Sequence, residues 1–207
     1  MQFTSVITER MSVRRFTPEP IPDTVIVTAL AAAALAPSAH GRQPWRFGVI
    51  APGATRQLLV AAMAATWRDH LAADGTPPET IDQRVAASAE RICTAPVLVL
   101  ACLDTTVIDQ YPDTARQHAE YTMAVQSLGC AIQNLLLSVV DQGFHAGWMC
   151  APLFCQAAVQ AACRLPATTE PHALIPIGRM ATPPKRRPKR SGDALRFDVV
   201  LPPPPAE

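Results

Sequence analysis

Four clusters of residues have the types and spacing to hold a phosphorylated molecule that carries a flat, polar ring. The first is Arg10-Met11-Ser12-Val13-Arg14-Arg15-Phe16. Arginine offers forked donors to phosphate oxygens, and the Ser12 hydroxyl adds one more. Such a run is otherwise a solvated basic loop. The second is Ala36-Pro37-Ser38-Ala39-His40-Gly41-Arg42-Gln43-Pro44-Trp45-Arg46-Phe47. Its small residues let backbone approach a ring closely. The Ser38 hydroxyl and Gln43 amide can bond polar ring atoms. The bland alternative is an ordinary connection in which His40 is a surface histidine. The third is Gly147-Trp148-Met149-Cys150-Ala151-Pro152-Leu153-Phe154, whose backbone N–H groups can point at a ring atom, or which simply ends a strand. The fourth is Pro183-Pro184-Lys185-Arg186-Arg187-Pro188-Lys189-Arg190. It is a second phosphate site, a nucleic-acid patch or a solvated linker.

The elements that must position these clusters follow from periodicity and breakers. Thr4 is expected to cap a helix over 5–11. Pro22 and Asp23 open a helix that runs to Ala36. Trp45–Ala51 reads as a strand. Helical spacing covers 53–73 and 78–91, split by Asp74-Gly75-Thr76-Pro77-Pro78. Pro96–Leu103 reads as a buried strand. The longest helix is 115–142, stopped by Gly143. Strands at His145–Cys150 and Ala173–Ile177 flank a helix at Gln156–Cys163. A last strand, Arg196–Leu201, stands apart after the basic stretch, and PPPPAE closes the chain. Strands interleaved with helices indicate an α+β fold around one sheet.

Composition excludes several classes. The 207 residues, 49% apolar, suit one folded domain with a C-terminal arm over about 183–207. A net charge of +1 argues against a broad nucleic-acid face. The N-terminus lacks the apolar core of a secretory signal. The apolar run Val25–Ala36 is too short to cross a bilayer. The uncharged stretch 122–140 is interrupted by Gln126, Ser127, Gln133 and Asn134, so it reads as a buried helix. The expected location is the cytoplasm, with no membrane contact. Six cysteines, at 93, 102, 130, 150, 155 and 163, form no CxxC pair or zinc-ligand pattern. They are expected to be reduced and buried, and no metal site is expected.

In this order, R-x-S-x-R-x-F, P-S-A-H-x-R-Q-P-W-R-F, the strand–loop near 150 and K-R-R-P resemble the FMN-dependent nitroreductase family over Arg10–Leu201. The resemblance implies a central mixed or antiparallel sheet flanked by helices, and a homodimer with two FMN sites at the subunit interface. Arg10 and Ser12, with Met11 between them, would hold the phosphate and ribityl tail, and Arg14 the pyrimidine edge. Pro37, Ser38 and Ala39 would come from the partner subunit and line the ring, and His40 and Gln43 of the same motif are further candidate cofactor contacts. Cys150, Ala151, Pro152 and Leu153 would present backbone near N5. One of Lys185, Arg186 and Arg187 would complete the phosphate site. The 115–142 helix would lie in the interface, and the last strand would be exchanged with the partner's sheet. WRDHLAADG, PVLVLACLD, MAVQSLG, AIQNLLL and GWMCAPLF further resemble the nitroreductase-like C-terminal domain of the bacterial gamma-glutamyl ligase for the deazaflavin coenzyme. The implied chemistry is ping-pong hydride transfer from a donor such as NAD(P)H to a nitro, enone or deazaflavin-precursor acceptor, with no catalytic side chain. Reductive dehalogenation on the same scaffold and a non-catalytic flavin carrier are the alternatives.

Overall fold

The structure, a computed structural model, describes residues 2–186, 188–196 and 199. Its centre is a four-stranded antiparallel sheet: β1 (Trp45–Ile50), β2 (Val97–Asp104), β3 (His145–Ala146) and β4 (Thr169–Gly178) in the order β1-β2-β4-β3. The run VLVLACL puts β2 in the interior because helices cover both faces, so both alternating sets of its side chains are apolar. On one face Val99, Ala101, Leu103, Ile175 and Ile177 pack against α2 (Asp23–Ala34) and α5 (Thr114–Asp141). On the other, Leu98, Leu100, Cys102 and Leu174 meet α3 (Ala54–Ala73), α4 (Pro78–Cys93) and α6 (Gln156–Cys163).

Local chemistry sets the element ends. Asp113 caps α5 by accepting from the Arg116 N–H at 2.9 Å. At the other end Gly143 takes φ +78°, and Phe144 N–H donates back to Val139 O, the stop foreseen from the sequence. Asn134 and Gln142 amides donate to Ala32 O and Val25 O, which lock α2 onto α5. The buried Arg56 guanidinium donates to Ile50 O at 2.6 Å and to Ala95 O, tying the end of β1 to the segment after α4.

Several boundaries differ from expectation. The first helix, α1, spans Phe3–Glu9 and is not capped by Thr4, whose carbonyl instead accepts from the Thr8 hydroxyl. β3 has two residues, not six. Opposite Gly147 stands Pro176, which accepts from Gly147 N–H but has no N–H to return, so the ladder breaks there. A bridge resumes at Met149↔Leu174. β4 begins at Thr169 rather than Ala173. Only Cys102 is buried; Cys155 and Cys163 are half-buried, and Cys93, Cys130 and Cys150 lie on outward-facing positions. α5 is long and apolar enough to cross a membrane by length and composition, but half of its apolar window is buried in the fold. Most of its apolar side chains are used up within the subunit, and within 122–140 the residues left exposed are Thr122, Met123, Gln126 and Cys130. The expected strand Arg196–Leu201, with its exchange, lies largely outside the described residues, and so does Arg187.

Candidate functional site

The chain leaves α1 at Arg10 and runs extended beside the β3 edge. Ser12 bridges Ala146 in parallel, and Val13 N–H donates to Ala146 O at 3.0 Å. Gly147 makes this approach possible: a Cβ there would lie 2.6 Å from Val13 O. Phe16 then bridges Met180, while Thr17 N–H donates to Arg179 O and Ala181 N–H to Arg15 O. That second pairing carries the basic stretch back over α1, where Arg186 Nη1 donates to Thr8 O at 3.1 Å. Three of the four sequence clusters therefore meet at one corner of the sheet. Val13 and Phe16 are buried as anchors, and Arg14 and Arg15 between them stay exposed, as does Ser12 before them.

The corner is electrostatically incomplete. Arg10, Arg14 and Arg15 have no acidic partner among the described residues. Lys185 and Arg186 add cations, both exposed. His145 lies in the same corner, and burial and then Arg179 hold its imidazole below the usual histidine value. It was not singled out from the sequence; its signal was its place at the start of β3. At the end of this strand–loop, a short 3-10 turn covers Ala151–Phe154. Its first N–H groups, those of Cys150 and Ala151, have no acceptor among the described residues. Pro152 is buried and Leu153 exposed. Met149, Ala151 and Phe154 also border a mostly apolar cavity of ≈ 660 Å³, closed by Met63, Trp67 and Arg91 of α3 and α4.

The second cluster is elsewhere. Pro37 is exposed; Ser38 Oγ accepts from Gln43 N–H, and Ala39 N–H donates to Ser127 Oγ on α5. His40 and Gln43 both take positive φ, at 52° and 50°, which shapes a tight loop. The His40 ring faces Glu120, at 3.7 Å. Register shows the separation. Trp45, where this loop enters β1, aligns through Leu103 with Glu170 of β4, whereas His145 aligns with Gly178. Eight residues of β4 (178 − 170) are about 26 Å, and three strand steps add about 14 Å crosswise. The loop and the arginine corner thus occupy diagonally opposite ends of one subunit's sheet.

Comparison with known proteins agrees with this architecture. The sequence pattern of the nitroreductase family matches residues 7–179. The 5,6-dimethylbenzimidazole synthase of Rhodospirillum rubrum is 30% identical over 145 residues, 68% of this chain and 64% of that protein. The chain spans just under two thirds of the length of the curated relatives it matches first, 66% and 64%. A nitroreductase-type protein of Desulfovibrio desulfuricans in complex with FMN superposes with a TM-score of 0.71 at 25% identity, over 98% of this chain and 99% of the other. A BluB-like flavoprotein from Clostridium difficile gives 0.75 at 23% identity, over 97% and 100%. With its sheet order, its arginine corner and a family match over most of its length, the chain belongs to the nitroreductase family.

Proposed function

We propose that this protein is an FMN-dependent oxidoreductase that works as a homodimer, with each cofactor held between an arginine corner and the partner's 37–43 loop. The observation that carries this is the cluster of cations without acidic partners among the described residues at one corner of the sheet, with the free N–H groups of Cys150 and Ala151 further along the same strand–loop. A phosphate supplies the missing negative charge, and a ring nitrogen the missing acceptor. In this reading Arg10, Met11 and Ser12 hold the phosphate and tail, and one cation of the basic stretch, Lys185 or Arg186 among the described residues, completes the phosphate site. Arg14 faces the pyrimidine edge, and Cys150, Ala151, Pro152 and Leu153 present backbone to the ring. Pro37, Ser38, Ala39, the backbone of His40 (whose ring turns to Glu120) and Gln43 line it from the second subunit, because their own subunit holds them too far away.

When bound, FMN supplies two-electron transfer from a reduced nicotinamide to an electron-poor acceptor. The residues around it position and tune. The Arg14 guanidinium stabilises negative charge added on the pyrimidine side. The N–H groups of Cys150 and Ala151 fix the ring edge. The mostly apolar cavity beside Met149 and Ala151 would seat donor and acceptor in turn, which is ping-pong order. Its apolar walls suit a nitroaromatic, an enone or a deazaflavin-precursor ring, and the likeness of 67–75 and 96–104 to the deazaflavin-ligase domain supports the last of these.

The purified protein is expected to be yellow, to release FMN on heating at one per chain, and to scatter light as a dimer. NAD(P)H should bleach it anaerobically, and a nitroaromatic or enone should restore the colour. A colourless protein that takes up no added FMN refutes the reading. FMN binding with no acceptor able to restore the colour would identify a carrier.

A further inference from the structure

Away from the arginine corner, three segments converge on a second polar cluster. His40 comes from the loop after α2, Asp109 from the stretch between β2 and α5, and Glu120 from the first third of α5. One nitrogen or oxygen atom from each lies within 4.8 Å of the other two. The Glu120 side chain is only 2% exposed. Its Oε1 accepts from Asp109 N–H at 3.3 Å. Its Oε2 is buried with no hydrogen-bond partner, 3.7 Å from His40 Nε2. A buried carboxylate oxygen without a donor is costly and calls for a cation. Arg42 does not supply it, because its Nη2 is engaged with Asp109 Oδ1 at 2.5 Å.

We propose that His40, Asp109 and Glu120 bind a divalent first-row cation of the kind that accepts mixed imidazole and carboxylate ligands, such as Mn²⁺. Two carboxylates, Asp109 and the buried Glu120, face a single arginine, Arg42, so a dication is well matched. Ligand atoms sharing one such ion stand about 3 Å apart, from two bonds of about 2.1 Å at right angles. The cluster must therefore contract, and it can. The His40 side chain is 51% exposed and can swing inward, and Asp109, 36% exposed, can shift together with its exposed partner Arg42, while Glu120 is fixed by the core. Arg42 serves as an outer-shell residue that orients the Asp109 carboxylate. Bound there, the ion would pin the 37–43 loop to α5.

Mn²⁺ is the probe because exposed thiols such as Cys93 and Cys130 compete poorly for it. Holoprotein is titrated with Mn²⁺ while the free ion is followed by electron paramagnetic resonance. Pulsed measurements then look for ¹⁴N coupling from a coordinated imidazole. One ion per chain with ¹⁴N coupling is expected. His40→Ala should remove the coupling and weaken binding at least tenfold, and Glu120→Gln should abolish it. Because His40 is half exposed, His40→Ala tests the site even if Glu120→Gln fails to fold. No stoichiometric binding by the wild type, or unchanged affinity and coupling in His40→Ala, overturns the proposal. Neither readout depends on FMN being the cofactor.

Discussion

Gly147→Ala tests whether the arginine segment is held by close backbone contact. Gly147 is buried and donates to Pro176 O at 3.0 Å. An added methyl would sit 2.6 Å from Val13 O and 3.3 Å from Pro176 Cγ. Neither neighbour can yield cheaply. Val13 is fully buried and its N–H is bonded to Ala146 O, and Pro176 is a ring within β4. A carbon–oxygen contact relaxes near about 3.3 Å, so the Val13 backbone must retreat by about 0.7 Å. Overpacking of this kind costs about 1–3 kcal/mol. At about 2 kcal/mol, a chain of this size should lose about 4–8 °C in Tm. Since Val13 sits between Ser12 and Arg14, the same retreat should raise the Kd for FMN about tenfold, equivalent to about 1.4 kcal/mol. Gly48→Ala is the control, because its methyl would meet only Leu100 Cβ at an ordinary 3.9 Å. Melting followed by circular dichroism, and flavin fluorescence titration, give both numbers. If Gly147→Ala matched Gly48→Ala in Tm and in Kd, the contact would not be what seats the arginine segment.

Arg14→Ala should lower the flavin potential by about 30 mV or more, while Arg10→Ala should mainly loosen FMN; redox titration and flavin release distinguish them, and equal FMN loss with no shift in potential would make both phosphate residues. Arg56→Leu should cost about 3 kcal/mol or more in chemical denaturation, because it strips donors from the carbonyls of Ile50 and Ala95. Burial, opposed by Glu170, holds the His172 imidazole below the usual histidine value, and His145 is lowered too. A histidine lowered on folding binds protons more readily when unfolded, so its stabilisation is complete above about pH 6.5 and is lost as pH falls through the folded value. Tm should drop between pH 7.5 and 5.5, and His172→Gln should flatten that slope; an identical slope would remove His172 from the account.

The fold was legible where one physical signal dominated. The apolar run of β2, the Gly143 stop of α5 and the breaker before α4 each act locally, and the structure has all three where the sequence puts them. Errors fell where a partner strand decides the outcome. Nothing in His145–Cys150 itself shows that Pro176 will face Gly147 and cut the ladder. Thr4 has the right type for a cap, but the helix starts one residue before it. The exposure of Cys130 depends on which way α5 turns once α2 and the sheet have taken its apolar side.

The proposed site rests on residue types and order, not on geometry read from the sequence. Arg10, Ser12 and Arg14 suit a phosphate or ring edge by type but equally suit a solvated loop, and only register shows that Gly147 must be glycine for them to lie against β3. The 37–43 loop carries small residues suited to a flat ring, yet β1 and β3 sit at opposite edges and the alignment points at opposite strand ends. Within one subunit, the two halves of the motif set are therefore parted by about 26 Å along the strands alone. In the proposed homodimer, a two-fold axis would bring one subunit's loop to the other's corner twice over, so this separation would become two equivalent sites. Glu120 was invisible for the opposite reason. A glutamate in the polar first turns of α5, near Arg116 and His118, looks like a solvent contact, and only burial beside His40 and Asp109 reveals an oxygen that lacks a hydrogen-bond partner.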